Sequence, residues 1–174
     1  MQAWTLFLAT ATAAAAALSG CATPTGPSAT ATLAPTTGSA AAGNVRFAQR
    51  GGKVLVSGEV RGLKPNAEHG FHVHEKGDCS SGDGMSTGGH YNPGGQPHGR
   101  HAAGMHHAGD LPSLRADASG VARFSFESSM INVGTGPADV VGKGLIVHRD
   151  PDDYATQPTG NAGPRLACAV IVRG

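Results

Sequence analysis

All nine histidines of this 174-residue chain fall between His69 and His148, a spread that chance placement on a surface does not produce. The tightest group is Gly70-Phe71-His72-Val73-His74-Glu75. In an extended strand, residues i and i+2 point to one face. His72 and His74 then project side by side, and Phe71 and Val73 turn to the core. Neutral imidazole is a natural ligand for copper and zinc, although the pair alone is equally compatible with two half-exposed histidines on a surface strand. A second set is His90, His98 and His107, joined by Asp110, which lies one tight bend beyond His107 through Ala108-Gly109. Three imidazoles and one carboxylate complete a tetrahedral zinc site with no open position, which orders a loop rather than performing chemistry. The bland alternative is a loop merely rich in surface histidine. His148 ends the apolar run Gly144-Leu145-Ile146-Val147, and by itself reads as a satisfied core histidine.

Short strands must carry these side chains. Asn44 to Gln49 and Lys53 to Val60 alternate apolar and polar around Arg50-Gly51-Gly52, a hairpin signal. Glu68 to Glu75 reads as a third strand. Leu114 to Ala118 and Val121 to Glu127 flank Ser119-Gly120 as a second hairpin, Val140 to His148 is a buried strand, and Leu166 to Arg173 is the last. Between them lie two long stretches without periodicity, Lys76 to Leu111 and Arg149 to Pro164. A compact domain rarely carries so long a structureless segment without metal ligation or a disulfide to hold it. Strands separated by turns, with 27 glycines and no helical periodicity, predict an all-β antiparallel sandwich or barrel.

The start of the chain has a different character. Residues 1–20 are apolar and Ala-rich with no charged side chain, and Leu6 to Leu18 has the length of a secretory signal core rather than of a membrane span. The tetrapeptide Leu18-Ser19-Gly20-Cys21 looks like a bacterial lipobox, so Cys21 is expected to carry lipid and to anchor an exported, periplasmic protein of a bacterial cell envelope to a membrane. Residues 21–43, rich in Thr, Ala, Pro, Ser and Gly, are expected to form a flexible linker, and residues 44–174 the folded domain. With Cys21 set aside, Cys79 and Cys168 remain, an even pair that predicts a disulfide in an oxidising compartment; two buried free thiols are the alternative. A net charge of +1 points to no nucleic-acid partner.

Together, His72-Val73-His74-Glu75, His90-Tyr91-Asn92-Pro93, His107-Ala108-Gly109-Asp110, Val147-His148 and Gly160-Asn161-Ala162-Gly163-Pro164-Arg165-Leu166-Ala167-Cys168 resemble the copper/zinc superoxide dismutase family, in its order and at closely similar spacings. The resemblance covers Asn44 to Gly174. It implies an immunoglobulin-like Greek-key sandwich with two long functional loops, a protein architecture known for this enzyme. It also implies that His72, His74, His90 and His148 bind copper, that His90 bridges to zinc, and that His98, His107 and Asp110 complete the zinc site. Arg165 orients the anion, Asp152 links His72 to His98, and Cys79 pairs with Cys168. The implied reaction is disproportionation of superoxide to dioxygen and hydrogen peroxide, by copper redox cycling with a zinc-bridged histidine. The rival function is a copper/zinc storage or buffering lipoprotein, for which Arg165 is surplus. The family includes monomers and homodimers. His69, His101 and His106 match no ligand position and are expected to be ordinary surface residues. The loop Arg149 to Pro164 lacks the lysine that many eukaryotic members use to guide substrate.

Overall fold

The computed structural model describes Met1 and residues 26–174. Ten strands follow in order: β1 (Ser28–Pro35), β2 (Ala42–Arg50), β3 (Lys53–Arg61), β4 (Glu68–His69), β5 (Phe71–His74), β6 (Leu114–Arg115), β7 (Ala122–Ser128), β8 (Gly144–His148), β9 (Arg165–Val170) and β10 (Val172–Arg173). The main sheet runs β5-β8-β9-β1-β2-β3-β7, every pairing antiparallel, with β10 also beside β1. Neighbours such as β3 and β7, or β5 and β8, are distant in sequence. The long connections between them give the Greek-key character, and the described residues contain no α-helix.

Alternation explains the central strands. Val45 and Phe47 on β2, and Val54, Val56 and Val60 on β3, are buried, while Asn44 and Arg46 face water. Arg50 pairs with Lys53 across Gly51-Gly52, and Gly51 takes a φ of 58°, the left-handed conformation that a two-residue hairpin turn demands. β5 and β8 are buried on both faces. Phe71, Val73, Leu145 and Val147 enter the hydrophobic core, and the long loops cover the other face.

The structure corrects the expected domain boundary, one hairpin and the placing of three histidines. Residues 21–43 are not a linker throughout, and the domain does not begin at Asn44. Ser28–Pro35 is strand β1, paired with β2 from Ser28↔Ala48 to Leu33↔Gly43, and with β9 through Ala34↔Cys168 and Pro35↔Ala167. Ala29, Ala31 and Leu33 are buried while Thr32 faces outward. This is a period of two, disguised because alanine contributes little apolar bulk. Small side chains suit a strand that joins the two halves of the sheet, and threonine is β-branched and favoured in strands.

The Leu114–Glu127 segment does not pair as a hairpin. β6 pairs with β4, and β7 pairs with β3. The turn itself is present, with Asp117 Oδ1 accepting from the amides of Ser119 (2.8 Å) and Val121 (3.1 Å). A turn signal fixes local geometry, but the hydrophobic face chooses the partner.

His69 and His106 are not surface residues; they are 0% and 2% exposed, and His101 is partly buried. Each ring donates to a backbone carbonyl: His69 Nδ1 to His148 (2.9 Å), His106 Nδ1 to His107 (2.7 Å) and His101 Nδ1 to Asp110 (3.2 Å). All three therefore tie down main chain beside His148, His107 and Asp110.

Candidate metal centre

β5 lies at one edge of the main sheet, and the loop from Lys76 to Leu111 uses its backbone. Tyr91 N donates to Val73 O (2.8 Å), Val73 N to Gly109 O (2.9 Å) and Glu75 N to Gly89 O (3.0 Å). Isolated bridges set His90 opposite His74 and Asp110 opposite His72. An edge strand presents unpaired amides and carbonyls, and here the two limbs of one loop occupy them. On the other side β8 pairs with β5 in the register Phe71↔Val147, which brings His148 to the same end. The strand does not continue unbroken from Glu68 to Glu75. It divides at Gly70, whose carbonyl accepts from His148 N (2.8 Å) and whose amide donates to Asp150 O (2.9 Å). A side chain at Gly70 would meet Ala162 Cβ at 2.7 Å, so the glycine lets the 149–164 loop approach.

Two groups result. One ring nitrogen each of His72, His74, His90 and His148 lie within 4.8 Å of one another, as do the ligand atoms of His90, His98, His107 and Asp110. All seven side chains are buried, and His90 belongs to both groups.

Four of the six rings are held by their outward nitrogens. His74 Nδ1 donates to Gly88 O (2.9 Å) and His148 Nδ1 to Gly163 O (3.0 Å). Asp152 accepts from His72 Nε2 on one oxygen (2.7 Å) and from His98 Nε2 on the other (2.9 Å). The opposite nitrogens have no hydrogen-bond partner: Nδ1 of His72, and Nε2 of His74, His90 and His148, in one group, and Nδ1 of His98 and His107 in the other. Asp110 is oriented in the same way. Its Oδ2 accepts from the amides of Gly99 (3.1 Å) and His107 (2.9 Å), and Oδ1 faces Nδ1 of His90, His98 and His107 at 2.9, 3.0 and 3.3 Å.

Each buried, unpartnered polar atom costs about 1–3 kcal/mol. Six of them would rival the roughly 5–15 kcal/mol stability of a whole domain. The donor set therefore fits two cations. One group is all imidazole, suited to copper; the other is three imidazoles and a carboxylate, the closed tetrahedral set of structural zinc.

Electrostatics agree. Burial, reinforced by neighbouring histidines, pushes His74 well below its ordinary value, His90 down to about 4 and His148 down to about 3. Their lone pairs are free at neutral pH. Burial also works against His98, but the carboxylates of Asp110 and Asp152 beside its two nitrogens prevail and raise it to about 9. The two carboxylates, though penalised by burial, are held well below the usual range by hydrogen bonds from those histidines.

Arg165, half-buried at the start of β9, lines a cleft of about 250 Å³ with His74, His90, His148 and Met85. The guanidinium donates through Nη1 to the Gly84 carbonyl and to Thr87 Oγ1 (2.8 Å), and through Nη2 to Gly88 O (2.7 Å). Its own carbonyl accepts from Thr36 Oγ1 (2.6 Å), just beyond β1. Cys79 and Cys168 form a disulfide with their Cα atoms 5.9 Å apart, tying the 76–111 loop to β9 three residues from Arg165. Thr36 and Thr87 were missed by motif reading because a lone threonine carries no signal until the fold sets it against Arg165. Cys21 lies outside the described residues.

The family model described as copper/zinc superoxide dismutase (SODC) matches residues 41–171. A relative named Superoxide dismutase [Cu-Zn], from Paramecium bursaria Chlorella virus 1, is 44% identical over 135 residues, covering 74% of this chain and 71% of its own. A solved structure titled as the clock protein EA4 superposes with a TM-score of 0.77 at 39% identity, covering 88% of this chain and 98% of that one.

Proposed function

The chain belongs to the copper/zinc superoxide dismutase family, and from that premise we propose that it disproportionates superoxide, with His72, His74, His90 and His148 holding copper and His90, His98, His107 and Asp110 holding zinc. The observation that carries this reading is His90, a single buried ring with Nδ1 in one group and unpartnered Nε2 in the other. Copper supplies the one-electron couple that zinc cannot.

The protein's own groups do the rest. Arg165, at the cleft, offers a permanent positive charge and paired N–H donors to a small anion. His90 Nε2 is the atom placed to take up a proton and hand it on towards peroxide. His90 Nδ1, set beside Asp110 in the second group, would be held with Asp110 by zinc, which leaves Nε2 as the nitrogen facing the first group. Asp152 and the carbonyls of Gly88 and Gly163 keep the other rings from turning. Two superoxide ions and two protons thereby become dioxygen and hydrogen peroxide.

The test is to purify the domain, measure bound copper and zinc, and assay superoxide removal. Turnover that is lost on chelation and restored by both metals is the expected result; stoichiometric metal without turnover would instead indicate storage.

We further propose that the protein is exported and lipid-anchored through Cys21 in a bacterial envelope. The apolar run ending at Leu18-Ser19-Gly20-Cys21 supports this, and a disulfide suits an oxidising compartment. Because β1 begins at Ser28, only Ala22 to Pro27 separate Cys21 from the sheet. A chain that short reaches at most about 20 Å, so the domain would sit close to the lipid. Incorporation of labelled palmitate that disappears in Cys21→Ala checks it.

A further inference from the structure

We propose that Thr87 is a positioning residue for Arg165, its hydroxyl holding the guanidinium so that N–H donors stay free for the anion. The inference rests on the role given to Arg165 above.

Thr87 is fully buried in the loop beside Arg165. Its hydroxyl hydrogen goes to Gly84 O (2.9 Å). Arginine has donors only, so towards Arg165 the Thr87 oxygen can only accept, and it does so at 2.8 Å. The rest follows from the arginine donor inventory, five N–H groups in a rigid fork. Nη1 is bonded to Gly84 O and to Thr87 Oγ1, and Nη2 to Gly88 O. Among the described residues, Nε has no partner and Nη2 has only Gly88 O, so N–H donors remain for an anion.

Thr87 thus adds a side-chain anchor that keeps the guanidinium from rotating. It cannot easily shift to do less. Its amide donates to Gly84 O (3.2 Å), its carbonyl accepts from Lys76 N (3.0 Å), and its side chain packs so closely on β8 that a side chain at Gly144 would meet its Cγ2 at 2.9 Å. The packing fixes the hydroxyl, and the hydroxyl fixes the arginine. Gly84 and Gly88 act through carbonyls that any residue possesses, which leaves Thr87 as the one side chain among the three anchors.

The experiment uses the copper- and zinc-loaded protein and azide as the anion probe, with affinity read from the copper spectrum beside the rate of superoxide removal. Thr87→Val keeps the shape and removes the acceptor; it should weaken azide binding and the bimolecular rate together by roughly three- to tenfold, with both metals retained. Thr87→Ser should restore both. Thr87→Ala carries the same expectation as Thr87→Val should the valine variant fold poorly. Arg165→Ala, run in parallel, should lose more, and adding Thr87→Val to it should cost nothing further. If Arg165→Ala weakens azide and Thr87→Val and Thr87→Ala do not, Thr87 has no positioning role. A Thr87→Ser as weak as the valine variant would also overturn it, since packing and not the hydroxyl would be at work. If Arg165→Ala binds azide normally, the role of Arg165 itself falls, and that of Thr87 with it.

Discussion

Asp152 stands between His72 and His98, one carboxylate oxygen accepting from each ring at 2.7 and 2.9 Å, with Tyr154 N donating to Oδ1 at 2.7 Å. Gly160, at a φ of 64°, packs against it so closely that any side chain there would strike both the carboxylate and the His98 ring. One loop acid therefore orients a ring in each metal group. Asp152→Asn keeps the shape but cannot accept from both rings, since one of its ends becomes a donor. The affinity for both metals should fall by about 10–100-fold, measured by competition with a chromogenic chelator. An effect confined to one metal would show that the two rings are held independently.

The metal-free protein should weaken as pH falls from about 6.5 towards 4. His90 and His148 have folded values of about 4 and 3, and His74 is also lowered, against 6.5 unfolded. Between those limits the unfolded chain binds more protons, so stability rises with pH. His98, raised to about 9, stabilises the folded chain fully below 6.5 and loses that contribution as pH climbs from 6.5 through 9, so it adds no slope between 6.5 and 4. Each lowered histidine contributes up to about 1.4 kcal/mol per pH unit. Urea midpoints of chelated protein at several pH values read this directly. A flat profile from 6.5 to 4 would mean that these rings are not buried in neutral form.

The Cys79–Cys168 bridge closes a loop of 89 residues, worth about 4–5 kcal/mol in chain entropy. Cys79→Ser with Cys168→Ser should lower stability by that order at fixed metal loading. It should also loosen the segment that carries Gly84 and Thr87, so azide affinity should fall as well. Unchanged anion affinity in a destabilised variant would separate the disulfide's effect on stability from any effect on Arg165.

Leu33→Ala tests β1. Leu33 is 2% exposed within the core, and removing such a side chain costs about 2–5 kcal/mol. A residue of a solvated linker would cost nothing. Chemical denaturation distinguishes the two.

The two candidate ligand groups were legible early because metal ligation constrains residue type and spacing together. His72 and His74 on one strand, and His107 with Asp110 across a glycine bend, are local patterns. The hairpin of β2 and β3 was legible for the same reason, with turn and alternation adjacent in sequence. β1 escaped notice because Ala29 and Ala31 are no more apolar in composition than the alanines before them. Only their register against β2 and β9 shows that they are inside. His69 and His106 escaped because a histidine bonded to main chain has no signature in the sequence.

Residue identity by itself determined the candidate ligand types, the even cysteine pair and the all-β pattern, since each depends on side-chain chemistry or on a period of two. Tertiary structure alone decided that the 76–111 loop lies along β5 and places His90 between both groups. It decided that β6 joins β4 and not β7, and that Thr36 and Thr87 hold Arg165. These are relationships between segments far apart in the chain. Hydrogen bonding and burial choose among many pairings that the local sequence allows equally.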